Sequence, residues 1–143
     1  MPCYMKYGSI AGEMKGKYKG WIELHSCQFG VARNATESTG RSVGREASVP
    51  NVSEVVVTKS LDNTSSRLFQ ESLTGTGAKV EIDFVMNDAL QTVYLHVELA
   101  DAMVSNYQLS SGGDRPTESL GLNFTKITYQ STVATNPPAT KQP

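Results

Sequence analysis

The chain has no surplus of charge of either sign: thirteen lysines and arginines stand against fourteen acidic residues in 143 positions. Without a basic surplus there is no electrostatic footprint for nucleic acid or for an anionic lipid surface. No apolar run approaches the roughly 18 residues of a membrane span. The first residues, Met1-Pro2-Cys3-Tyr4-Met5-Lys6-Tyr7, lack the apolar core of a signal peptide. The expectation is a chain made and folded in the cytoplasm, with no direct membrane insertion. Cysteine is scarce as well. Cys3 and Cys27 are the only two; both lie in strand-like stretches and could face one another, but two small buried hydrophobes in a reducing compartment suit them better. A chain of this length buries about two-thirds of its extended surface on folding, enough for one domain over residues 1–133 without staples.

What is present is a period of two. Residues 4–10 read as a first strand and 21–33 as a second, whose apolar positions Ile22 and Leu24 give way to Cys27, Phe29 and Val31. That phase slip near Ser26 signals a bulge. Val55-Val56-Val57 predicts a strand buried on both faces. In 79–86, Val80, Ile82, Phe84 and Met86 point inward, and Lys79, Glu81 and Asp83 outward. After a turn at Asn87-Asp88, Val93, Leu95, Val97 and Leu99 alternate with Tyr94, His96 and Glu98, which makes a hairpin. A further strand covers 102–109, and another covers 120–129. Between the Val55-Val56-Val57 strand and residue 79, the sequence Asn63-Thr64-Ser65-Ser66 offers N-caps for one short helix that ends at Gly75. Leu68, Phe69 and Leu73 are expected to pack it onto a sheet. Residues 134–143, with Pro137 and Pro138, predict a disordered tail. The sum is a mainly β domain: a two-sheet antiparallel sandwich or barrel with one flanking helix.

Four groups imitate chemistry. Gly40-Arg41-Ser42-Val43-Gly44 fits the nucleophile-elbow spacing, and Asp83 and His96 follow in the order of a hydrolase triad. The elbow needs a buried strand before the serine and a helix after it, whereas polar Ala35-Thr36-Glu37-Ser38-Thr39 precedes this one. His25, Cys27 and His96 are the one soft metal set, but they lack the close pairs of zinc sites; no metal, cofactor or catalytic residue is expected. Lys15, Lys17 and Lys19 read as a solvated loop beside Tyr18 and Trp21. The stretch 112–119 gathers Asp114, Arg115, Thr117 and Glu118 on a connector in which Pro116 fixes the backbone. These four are expected to fix geometry or subunit contacts rather than to move protons.

Several segments then match one family in order. They are Ile10-Ala11-Gly12-Glu13, the run from Trp21 to Gly30, Val57-Thr58-Lys59-Ser60-Leu61-Asp62, and Asp114-Arg115-Pro116-Thr117-Glu118-Ser119-Leu120 continuing through Asn123-Phe124-Thr125-Lys126-Ile127. Together they resemble the haemolysin-coregulated (Hcp) proteins of bacterial type VI secretion. The resemblance implies a barrel-like fold akin to phage tail tubes. It also implies homohexameric rings stacked into a hollow tube, sheath and spike proteins as partners, effectors carried in the lumen, secretion without a cleavable signal, and no enzyme activity. Family members often place a proline at the helix start, where this chain has Ser66-Arg67-Leu68. The long polar segment 34–51 supplies a candidate ring-stacking loop at Thr39, Gly40, Arg41, Ser42, Val43, Gly44, Arg45 and Glu46. The alternatives are a monomeric β-sandwich that binds a carbohydrate or peptide, and a small hydrolase around Ser42.

Overall fold

The computed structural model describes residues 2–32 and 51–131, together with the backbone of 139–141. Its framework is one long strand shared by two sheets. Strand β1 is Cys3–Tyr7, β2 Ile22–Leu24, β3 Ser26–Gln28, β4 Val31–Ala32, β5 Asn51–Val52 and β6 Val55–Ser60. Helix α1 is Ser65–Thr74, followed by β7 Ala78–Val85, β8 Val93–Ser110, β9 Thr117–Asn123, β10 Lys126–Ser131 and β11 Ala139–Lys141. The first half of β8 pairs with β7 and β10, and β1 and β2 extend that sheet beyond β7. The second half pairs with β9, which continues to β6 and β3 in the other sheet. Every pairing is antiparallel.

Two irregularities let β8 serve both sheets. Asp101 has a left-handed φ of 50°, and the register with β7 shifts between Val80 and Ala78. The Asp101 carboxylate accepts a bond from the Thr125 hydroxyl at 3.0 Å, beside the Ala100 carbonyl, which takes the Thr125 amide at 3.0 Å. The strand therefore bends without losing its partners, and the two separate strands expected over 93–99 and 102–109 are one. On the opposite side, the slip near Ser26 is the break at His25 between β2 and β3. β2 pairs with β1 in one sheet, and β3 with β6 in the other. The His25 amide still donates to the Thr58 carbonyl at 2.7 Å, so the corner is held although the sheets do not close into a barrel.

The core fills the space between the sheets. Met5, Ile22, Val55, Val57, Val80, Ile82, Val97, Leu99, Leu120 and Leu122 are all buried within it. A smaller cluster of Tyr4, Tyr18 and Val85 lies beside Trp21 and Met14, with the Tyr18 and Trp21 rings edge-on at 5.0 Å. Met86 corrects the expectation for β7. Met86 faces solvent, whereas Val85, beside a register shift between Phe84 and Val85, is buried in the smaller cluster with Tyr4 and Tyr18. Val56 is only partly covered, so β6 is buried fully on one face alone.

Helix α1 follows its expected limits but not its expected face. Thr64 is the N-cap residue but makes no side-chain cap bond; the turn before the helix is tied instead, with Asp62 Oδ1 accepting the Thr64 amide at 2.9 Å and Ser65 Oγ accepting the Asp62 amide at 2.9 Å. Gly75 ends the helix with an extended backbone rather than a left-handed one, and a Cβ there would sit 2.5 Å from the Glu71 carbonyl oxygen. Leu68 is fully buried, yet Phe69 and Leu73 are exposed, because only one row of the helix meets β8. Ala139–Lys141, within the segment expected to be disordered, pair with β10 at the edge of its sheet.

Candidate functional site

The connector expected to carry subunit contacts divides in two. Asp114 and Arg115 are exposed, while Glu118 is fully buried. The period of two explains the difference: Glu118 shares the inward parity of Leu120 and Leu122 on β9. Directly across from it in register, on β6, stands Lys59, which shares the inward parity of Val55 and Val57. Lys59 Nζ donates to Glu118 Oε1 at 2.6 Å, to Asp62 Oδ1 at 2.9 Å and to the Ser60 carbonyl at 2.9 Å. Ser65 Oγ donates to the same Glu118 oxygen at 2.6 Å, and the Tyr107 hydroxyl donates to the other. A buried ion pair is tolerated when its remaining lone pairs and protons find partners, and here they do. This knot joins β6, β8, β9 and the start of α1. It places the connector, because the Leu61 amide bonds to the Pro116 carbonyl at 2.9 Å.

Two members of the knot carry shifted pKa values. Burial alone would raise the Asp62 carboxyl; the Thr64 hydroxyl and amide and the Lys59 ammonium outweigh it and hold Asp62 below its ordinary 3.8. A depressed carboxylate pKa stabilises the fold above the unfolded value, and that stability is lost as pH falls through the folded one. Denaturation followed from pH 6 downward should thus show stability declining once the pH drops below about 4, and Asp62→Asn should flatten that decline. Burial, and then the bond to Glu118, push the Tyr107 hydroxyl up.

Arg115, by contrast, is free to reach outward. Its guanidinium comes within 3.9 Å of Glu13 with both side chains more than half exposed, and it borders a recess of about 280 Å³ that includes Glu13, His25, Ser60 and Asp62. Exposed pairs of this kind contribute about 0–1 kcal/mol, so Arg115 has little role inside the chain. Beside the knot, Phe69 and Leu73, four apart and hence on one face of α1, lie exposed, and Leu109, two residues past Tyr107 on β8, is exposed as well. The Phe69 ring meets Tyr107 edge-on at 5.3 Å, so helix and strand form one apolar surface. Sequence reasoning assigned the helix residues to the core and did not see this patch.

The imitation sites separate. Asp83 does meet His96, through Nδ1, but His96 Nε2 faces Glu98 Oε1 at 3.1 Å, where a hydrolase would place its serine. Ser42 and the whole candidate stacking loop, residues 39–46, lie outside the described residues. Burial alone would lower the His96 pKa; the Asp83 and Glu98 carboxylates outweigh that and raise it. The soft metal set is not assembled: His25 Nε2 pairs with Ser60 Oγ at 2.9 Å, and Cys27 packs toward the core beside Cys3 as a free thiol. Lys17 ties the turn Gly16–Tyr18 to the Gln91 carbonyl at 2.9 Å. Among the described residues, no helix is long and apolar enough to cross a membrane.

The family model of the type VI secretion system effector Hcp matches residues 4–130, nearly the whole two-sheet shell and its connector. The chain belongs to the Hcp family. Its fold is shared with "Structure of a type six secretion system protein", at a TM-score of 0.86 and 21% identity over 99% of this chain and 94% of that one. A type VI secretion system effector from Yersinia pestis aligns at 0.77 and 18% identity, covering 97% and 96%. Hcp1 from Salmonella typhimurium aligns at 0.74 and 23% identity, covering 97% and 91%. No curated protein matches the chain. At these identities the Hcp structures share the architecture, while the residues of the knot and of the apolar patch are read from this chain alone.

Proposed function

We propose that this Hcp-family chain is a structural tube subunit that closes with copies of itself into hexameric rings. In this reading the rings stack into a hollow tube that is expelled from the cell and carries effector proteins in its lumen, and sheath and spike proteins are its further partners. Assembly takes place in the cytoplasm, and no catalysis is involved. The observation that carries the reading is the exposed apolar face of α1, Phe69 and Leu73, which meets β8 through Tyr107 and is left uncovered on a single folded chain. Such surfaces mark association sites, and a ring covers one without forming a fibre when the rotation between copies closes. The loop 39–46 remains the candidate contact between rings, and Asp114, Arg115 and Thr117 the candidate contacts within one.

Light scattering with negative-stain imaging tests the proposal. Ring-shaped particles of about six chain masses are expected from a closed cyclic contact; a stable monomer at all concentrations would point instead to a β-sandwich binding module. Arg115→Glu should weaken the ring and leave the fold unchanged, since among the described residues Arg115 makes an exposed ion pair with Glu13. An unaltered particle mass for that variant would remove Arg115 from the interface.

A further inference from the structure

The outward face of the β7–β8 hairpin carries an unusual square of side chains. Register places Glu81 opposite Glu98 and Asp83 opposite His96. Because positions two apart on a strand share a face, all four project from the side away from the core residues Val80, Ile82, Val97 and Leu99. His96 is gripped through Nδ1 by Asp83 Oδ1, and Asp83 Oδ2 in turn accepts the buried Tyr18 hydroxyl at 2.9 Å. That leaves Nε2 aimed at two carboxylates, 3.1 Å from Glu98 Oε1 and 3.9 Å from Glu81 Oε1. One donor atom from each of Glu81, His96 and Glu98 lies within 4.8 Å of the others.

We propose that Glu81, His96 and Glu98 form a binding site for a divalent first-row transition metal ion, with zinc as the fitting case. Three donors at about 2.0–2.1 Å from a tetrahedral zinc lie about 3.3 Å apart. The His96–Glu98 separation of 3.1 Å is close to this value, and Glu81 needs to move by less than the reach of one rotamer. The Asp83 contact is the orienting arrangement that metal-binding histidines use: a carboxylate holds the far ring nitrogen, which fixes the tautomer and turns the other lone pair toward the ion. Tyr18 fixes Asp83, so the chain of contacts runs from the buried cluster out to the ligand atom. A set of one imidazole and two carboxylates favours transition metals over magnesium and calcium, which take oxygen donors. Lys79 competes for the same place. Its ammonium lies 3.9 Å from Glu81 and 4.0 Å from Glu98, on a side chain that is 64% exposed and can swing away. Lys6, opposite Glu81 in register, and Lys126, near Glu98, border the site. None of this depends on the assembly proposed above.

The test is titration of the full-length chain with zinc chloride, followed by calorimetry and by the shift in melting temperature that metal binding to the folded state produces. About one zinc per chain is expected from a single three-ligand site, with no displacement by excess magnesium. Glu98→Gln and His96→Gln should each abolish the saturable event. Asp83→Asn should weaken it by about 10–100-fold, as loss of an orienting partner does. Lys79→Gln should tighten it, an outcome that a merely electrostatic surface cluster would not give for zinc without giving it equally for magnesium. Cys3→Ser with Cys27→Ser should leave it unchanged. Far-UV circular dichroism guards against misfolding, and Glu98, partly exposed at the surface, is the variant least able to disturb the fold. Failure of wild-type protein to bind zinc at millimolar concentration, or undiminished binding in Glu98→Gln, overturns the proposal.

Discussion

Glu118→Ala is expected to destabilise the fold by about 3–5 kcal/mol, the usual cost of removing one partner from a buried ion pair. The Lys59 side chain, with no exposed surface at all, would be left with Asp62, the Ser60 carbonyl and the more distant Ser65 hydroxyl. Tyr107 and Ser65 would lose their acceptor in the same stroke. The double variant Lys59→Met/Glu118→Leu should recover most of the loss, since well-packed apolar side chains often replace such a pair at little or no cost. Denaturant unfolding at matched chain concentrations measures both, because assembly makes apparent stability concentration-dependent. A double variant no more stable than Glu118→Ala would mean that the cost lies in packing volume and not in the stranded ammonium.

The second large effect concerns assembly. Leu73→Asp is expected to turn the ring population into single chains. The Leu73 side chain is 68% exposed, and surface substitutions away from special features usually change stability by no more than about 0.5 kcal/mol. The monomer should therefore fold normally. Burying a new carboxylate against the apolar patch of a neighbouring copy would instead cost several kcal/mol at every interface around the cycle. Light scattering reads the result directly. A variant with the mass and melting profile of the parent would remove the face of α1 from the contact, and with it the observation on which the assembly reading rests.

Much of this architecture was legible as alternation. The slip near Ser26 marked the corner between the sheets, because a change of parity inside one strand means that its inward face has changed partner. Val80, Ile82, Leu120 and Leu122 declared their burial in the same way. The misses share a physical cause. Glu118 was read with the exposed connector, although its parity put it on the inward face, and Lys59 was given no role of its own; only the pairing of β6 with β9 reveals that each neutralises the other. Phe69 and Leu73 erred in the opposite sense. Apolar periodicity marks a face that must be covered, but it cannot distinguish a sheet of the same chain from a surface of another. Met86 followed a bulge that side-chain chemistry does not encode. The His96 square was invisible for a simpler reason: Glu81 and Glu98 meet only through the hairpin register, whereas the search for ligands began from cysteine and histidine spacing.

The shared strand has a mechanical consequence. Force applied along β8 cannot unzip one sheet and spare the other, because each half is held laterally by a different ladder: by β7 and β10 at one end and by β9 at the other. Loading in that direction shears many hydrogen bonds at once, the mode in which antiparallel ladders resist best, and Asp101 bends the strut without cutting it. Among the described residues there is no compliant seam between the sheets; in the tube proposed above, the chain would bear thrust as one stiff wall and yield, if at all, at the contacts between copies.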